Sequence, residues 1–160
     1  MGRGNASRRL MALVAGLTLV LLTACSSDDT STPPATAGGT VAITLKEFAV
    51  ATVPSSIGAG SVTFDVTNEG PDDVHEFVII KTDLDYTALP ADENGAVSED
   101  GEGMEVIDEI EDIAVGDTQS VTADLAAGSY ALICNITQTE PDDTLEAHYA
   151  EGMRTGFTVT

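Results

Sequence analysis

The chain is expected to be all-β, a Greek-key β-sandwich of six or seven short strands. Three observations carry this expectation. Segments with apolar residues at every second position recur along the chain, turn signals of Gly, Pro, Asn and Asp separate them roughly every eight to twelve residues, and almost no stretch has the periodicity of an amphipathic helix. No internal repeat is visible.

The amino terminus stands apart from that pattern. Arg3, Arg8 and Arg9 precede an apolar run from Leu10 to Leu22 that ends in Leu22-Thr23-Ala24-Cys25. A basic start, a short apolar middle and small residues before a break predict a signal peptide over residues 1–24, and the run is too short for a stable membrane-spanning helix. Leu22 to Cys25 resembles the lipobox of bacterial lipoproteins, which implies that Cys25 is acylated and anchors the exported chain to the outer face of the cell membrane. Firm anchoring takes more than one acyl chain, at about 0.8 kcal/mol per buried methylene. Residues 25–40 are rich in Ser, Thr, Asp, Pro and Gly without apolar periodicity, and are expected to form a disordered tether. Residues 41–160 then make one domain with one core.

Within that domain, Val41 to Val53 alternates and is rich in β-branched residues, Ser61 to Asn68 alternates strictly, and Val74 to Lys81 is a run of Val, Phe and Ile. Pro54 to Gly60 and Asn68 to Asp73 supply the turns between them. From Thr82 to Asp112 the chain becomes acidic and glycine-containing, which predicts a long surface excursion; its end, Met104 to Ile113, suits a short helix or an edge strand. Strand character returns over Thr118 to Leu125, Ser129 to Ile136 and Thr155 to Thr160, with Ala126-Ala127-Gly128 as a tight connection. Tryptophan is absent, so the core must rest on Val, Ile, Leu and Ala with a few Phe and Tyr.

Charge excludes one class of partner. Beyond the leader only Lys46, Lys81 and Arg154 oppose 27 acidic residues, a net charge of −24. Nucleic acid phosphates would be repelled, and the balance favours solubility, small cations or a partner protein with a basic docking face. The carboxylates of Glu99-Asp100-Gly101-Glu102 and Pro141-Asp142-Asp143 lack the alternating spacing of a calcium loop and are expected to be solvated surface.

The residues able to do metal chemistry are few. Past the tether they are His75, His148, Cys134, Met104 and Met153. A lone thiol in an exported protein has no internal disulfide partner, so it is expected to be buried, paired between molecules or bound to metal. Two imidazoles, a thiolate and a weak axial thioether are the donor set of blue copper. His148 and Met153 share one tight loop, Cys134 ends the strand leading into it, and His75 starts an earlier strand just after a turn.

Gly128-Ser129-Tyr130-Ala131-Leu132-Ile133-Cys134-Asn135-Ile136, then His148-Tyr149-Ala150-Glu151-Gly152-Met153 and the closing Gly156-Phe157-Thr158-Val159, resemble the carboxy-terminal half of small type 1 copper proteins, the cupredoxins of plastocyanin and azurin type. Ser61 to Phe77, with its Thr67-Asn68-Glu69-Gly70 turn and His75-Glu76-Phe77, is similar to the segment bearing that family's first histidine. The resemblance implies one copper ion held by His75, Cys134, His148 and, weakly, Met153. It further implies a monomeric one-electron carrier in which the ring edge of His148 reaches the surface as the electron exit. The departure is the spacing: thirteen residues separate Cys134 from His148 where the family has only a few. Loop length by itself costs little entropy, so an acidic flap between fixed ends is tolerated.

An enzyme is not expected, because both histidines are already used and no Ser-His-Asp or paired-carboxylate arrangement stands out. A copper carrier or storage protein would use the same ligands with easier metal release. A metal-free interaction module would be indifferent to copper.

Overall fold

A computed structural model of the protein describes residues 38–160. The expected signal peptide, Cys25 and all of the expected tether before Gly38 lie outside the described residues. No helix among the described residues is long and apolar enough to cross a membrane.

The elements run β1 (Gly38–Lys46), β2 (Ala49–Val53), β3 (Ser56–Ile57), β4 (Gly60–Asn68), β5 (His75–Thr82), β6 (Met104–Ile113), β7 (Thr118–Leu125), β8 (Gly128–Ile133), β9 (Thr137–Thr139), β10 (Leu145–Ala147), α1 (His148–Glu151) and β11 (Arg154–Val159). They form a sheet of order β2-β1-β4-β7, a second of order β3-β11-β8-β5-β6, and the separate hairpin β9-β10. β1 with β4 and β3 with β11 pair in parallel, and the other ladders are antiparallel. This is the expected all-β sandwich.

Alternation builds the first sheet. Val41, Ile43 and Leu45 on β1, Val62, Phe64 and Val66 on β4, and Ala123 and Leu125 on β7 all face inward, as a period of two requires. They meet Phe77 and Ile79 of β5, Tyr130 and Leu132 of β8 and Phe157 of β11 in one core. Phe64 lies at its centre, its ring 5.4 Å from Phe77 and 5.7 Å from Phe157. Such ring pairs add about 0.5–1.5 kcal/mol beyond the area they bury.

β5 departs from alternation because both of its faces are covered. Phe77 and Ile79 face the sandwich, whereas Val78 and Ile80 face a second cluster with Leu89, Val97, Ala131, Ile133 and Tyr149. The acidic excursion supplies Leu89 and Val97, so it is a cover for the outer side of the second sheet as well as a surface segment. Its ordered end, Met104 to Ile113, is an edge strand paired to β5, not a helix, and Met104 packs against the second cluster.

Several boundaries differ from the sequence reading, among them that of β8, which stops at Ile133 where a strand to Ile136 is expected. Val41 to Val53 is a hairpin of two strands, β1 and β2, joined at Glu47 and Phe48. Gly38, Gly39 and Thr40, expected in the tether, open β1 by pairing with Ser61, Val62 and Thr63; backbone pairing needs no apolar side chain. The segment between Cys134 and His148 contains its own hairpin, β9-β10.

Candidate metal centre

The first ligand candidate is placed by a turn that Asn68 holds shut. Its buried amide donates to the carbonyls of Asp73 and Ile113, at 2.8 and 2.9 Å, and its Oδ1 accepts from Gly70 N at 2.8 Å. The chain leaves this turn directly into β5, whose first residue is His75.

The other candidates lie on the return loop. Cys134 follows the last residue of β8, and its N–H donates to Met153 O at 3.0 Å. His148 opens α1; Met153 N donates to His148 O at 2.9 Å, and Gly152 N donates to the same carbonyl at 3.1 Å. Gly152 has φ 132°, and a Cβ there would stand 2.9 Å from Phe48 O, so only glycine suits this corner. Backbone bonds thus lock Cys134, His148 and Met153 into one unit, and all three are fully buried.

His75, Cys134 and His148 converge. His75 Nδ1 and His148 Nδ1 are 3.2 Å apart, and Cys134 Sγ lies 3.4 Å from His148 Nδ1 and 4.0 Å from His75 Nδ1. Met153 adjoins this group through its backbone and is packed into the sandwich core.

Without a metal the surroundings keep the Cys134 thiol protonated and the His75 ring neutral. Burial, above all, pushes the Cys134 thiol up to about 12, against the pull of N–H groups from Glu76 and Ile136; the carboxylates of Glu76 and Asp73 push it further up. Glu76 N donates to Sγ at 3.4 Å. Burial and then the neighbouring His148 lower the His75 pKa, against the raising influence of Glu47 and Asp73, so its ring is held neutral with a lone pair to offer. The residues therefore fit a soft or borderline metal ion, whose charge would displace the thiol proton.

Sequence reasoning missed two residues here. His75 Nε2 lies 3.4 Å from Glu47 Oε1, and that oxygen also accepts from the backbone N–H of Asp73 at 2.8 Å and of Asp72 at 3.2 Å. His148 Nε2 lies 3.4 Å from Glu146 Oε1. The first acceptor sits in the β1-β2 turn, far along the chain, and no local signal marks it. The second lies two residues before His148, but β10 ends at Ala147 and His148 opens α1, so strand periodicity does not mark the pairing.

One expectation is overturned. His148 is 0% exposed, so its ring edge does not reach the surface. Phe48 packs against it edge-on at 5.7 Å between ring centroids, and Glu146 of β10 approaches its Nε2 to 3.4 Å. Glu146 belongs to the long segment between Cys134 and His148.

Comparison with known proteins gives a likeness of fold. No family model and no curated protein matches the chain. Among solved structures, the dithionite-reduced auracyanin of the photosynthetic bacterium Roseiflexus castenholzii is 23% identical, over 76% of this chain and 96% of its own, with a TM-score of 0.52. Reduced rusticyanin is 19% identical over 77% of this chain and 79% of its own, with a TM-score of 0.53. Rusticyanin from Thiobacillus ferrooxidans is 14% identical over 77% of each chain, with a TM-score of 0.51. The shared fold is the cupredoxin β-sandwich.

Proposed function

We propose that this protein binds one type 1 copper ion through His75, Cys134, His148 and Met153 and carries single electrons at the outer face of the cell membrane, held there by an acylated Cys25. The observation that carries the reading is the buried convergence of His75 Nδ1, His148 Nδ1 and Cys134 Sγ. The auracyanin and rusticyanin whose fold it shares were solved in reduced form, which supports a redox role.

A bound copper supplies a one-electron couple between Cu(II) and Cu(I). The chain's own contribution is rigidity: His75 is held by a strand start and by Glu47, while Cys134, His148 and Met153 are cross-tied by backbone bonds. A donor set that barely moves keeps reorganisation small. Amide N–H groups from Glu76 and Ile136 aim at the sulfur and stabilise its negative charge. Burial of every donor leaves no open position for a substrate, which favours a carrier over an enzyme. With His148 covered, the electron path to a basic partner protein runs through the partly exposed Phe48 ring.

Copper titration of the purified protein, followed by visible absorption beside Cys134→Ser, tests the reading. An intense blue band that saturates at one copper per chain, is absent from the variant, and bleaches and returns on reduction and reoxidation without metal loss is expected. Absence of the band overturns the ligand assignment. Loss of copper on each cycle assigns the protein to copper transfer instead.

A further inference from the structure

The hairpin between Cys134 and His148 carries polar groups that the buried donor trio does not use. Gln138 and Glu146 are cross-strand partners, and Glu140 follows Gln138 by two residues, on the same side of an extended chain. Asp73, from the turn before β5, closes the group. Gln138 Nε2 lies 3.0 Å from Asp73 Oδ1, 2.8 Å from Glu140 Oε1 and 3.2 Å from Glu146 Oε1. An amide nitrogen has two N–H groups, so three carboxylates share two protons. Among the described residues, no lysine or arginine pairs with any of them.

A separate feature points into this group. His148 is fully buried, and its Nε2 has no hydrogen-bond partner among the described residues. That nitrogen lies 3.4 Å from Glu146 Oε1. His75 Nε2 is likewise unpartnered beside Glu47, but among the described residues it is around His148 that two carboxylates from different segments come within ligand range. A cation placed between them would satisfy the ring nitrogen and the carboxylates together. Ligand atoms of Asp73, Glu146 and His148 all fall within 4.8 Å of one another.

We infer that Asp73, Glu146 and His148 Nε2 form a second metal site, outside the buried trio, for a divalent ion of borderline softness such as zinc. Imidazole nitrogen and carboxylate oxygen are both zinc donors. Glu140, or the Gln138 carbonyl after its amide rotates, completes the shell. The site does not need the inner one filled. Binding clamps the hairpin to the turn that leads into His75.

Equilibrium dialysis of the purified protein against zinc, with excess magnesium to occupy weak surface carboxylates, tests the site without copper. The trio can itself take zinc, so the first comparison uses Cys134→Ser. That variant is expected to hold one zinc per chain, with oxygen and nitrogen neighbours at about 2.0–2.2 Å by X-ray absorption. Adding Asp73→Asn and Glu146→Gln, neutral replacements of similar volume, abolishes the uptake; the same pair in the parent lowers uptake by one equivalent. No uptake by a folded Cys134→Ser protein, or uptake indifferent to the carboxylate replacements, overturns the site. Should Cys134→Ser fail to fold, an unchanged stoichiometry in the parent carrying the carboxylate pair overturns it alone. The blue band is read on the parent, so either proposal can fail without the other.

Discussion

Asn68 shows how much one side chain arranges. It is the fourth inward position of β4, where alternation calls for an apolar residue, and it is fully buried. Its three hydrogen bonds bind the ends of a turn that no apolar contact could close, because the partners are two carbonyls and an N–H. Replacing it by alanine leaves those buried groups unmatched, each at about 1–3 kcal/mol, part of which relaxation recovers. Asn68→Ala is expected to lower stability in urea unfolding by about 3 kcal/mol and to weaken copper binding by loosening His75. A loss well under about 1 kcal/mol would place the closure of the turn elsewhere.

At the scale of elements, the acidic excursion is fastened to the ligand loop at two points. Tyr149 of α1 accepts from Leu89 N at 2.8 Å and donates to Tyr86 O at 3.0 Å. Asn135, next to Cys134, accepts from Val97 N at 2.6 Å and donates to Val97 O and Glu99 Oε1, each at 3.0 Å. Glu76 Oε1 completes the clasp by accepting from Asn135 N at 2.7 Å. Burial pushes the Glu76 carboxyl up from 4.5 to about 6; the Asn135 N–H opposes the shift, and Glu99, Glu109 and Glu111 add to it. The folded state therefore holds this proton more tightly than the unfolded chain. The stabilisation is complete below pH 4.5 and is lost as pH rises through about 6. Urea midpoints of the metal-free parent should accordingly fall across that window relative to Glu76→Gln, and parallel curves would show that Glu76 does not titrate there.

For the whole molecule, the charge is the dominant long-range term. The described residues hold one lysine–carboxylate pair, Lys46 with Glu69 at 2.8 Å on the surface, against a large excess of carboxylates. Such a pair adds little, whereas mutual repulsion of the carboxylates opposes the compact state. Salt shortens the screening length from about 30 Å at 0.01 M to about 3 Å at 1 M. The thermal midpoint of the metal-free protein is expected to rise steadily over that range of sodium chloride. A fall would mean that specific ion pairs outweigh repulsion.

Periodicity by itself determined the all-β class and most of the strands, because a sheet face buried on one side writes its alternation into the chain, as Val62, Phe64 and Val66 do. The short inventory of soft donors likewise pointed to His75, Cys134, His148 and Met153, since there were almost no others to choose among. Only the tertiary structure decided that the excursion covers a second cluster, that Glu47 faces His75, and that Phe48 and Glu146 pack against the buried His148. These are contacts between segments far apart in sequence or between a loop and its cover. Their geometry follows from how the strands stack and pair, and no local pattern of residue types encodes it.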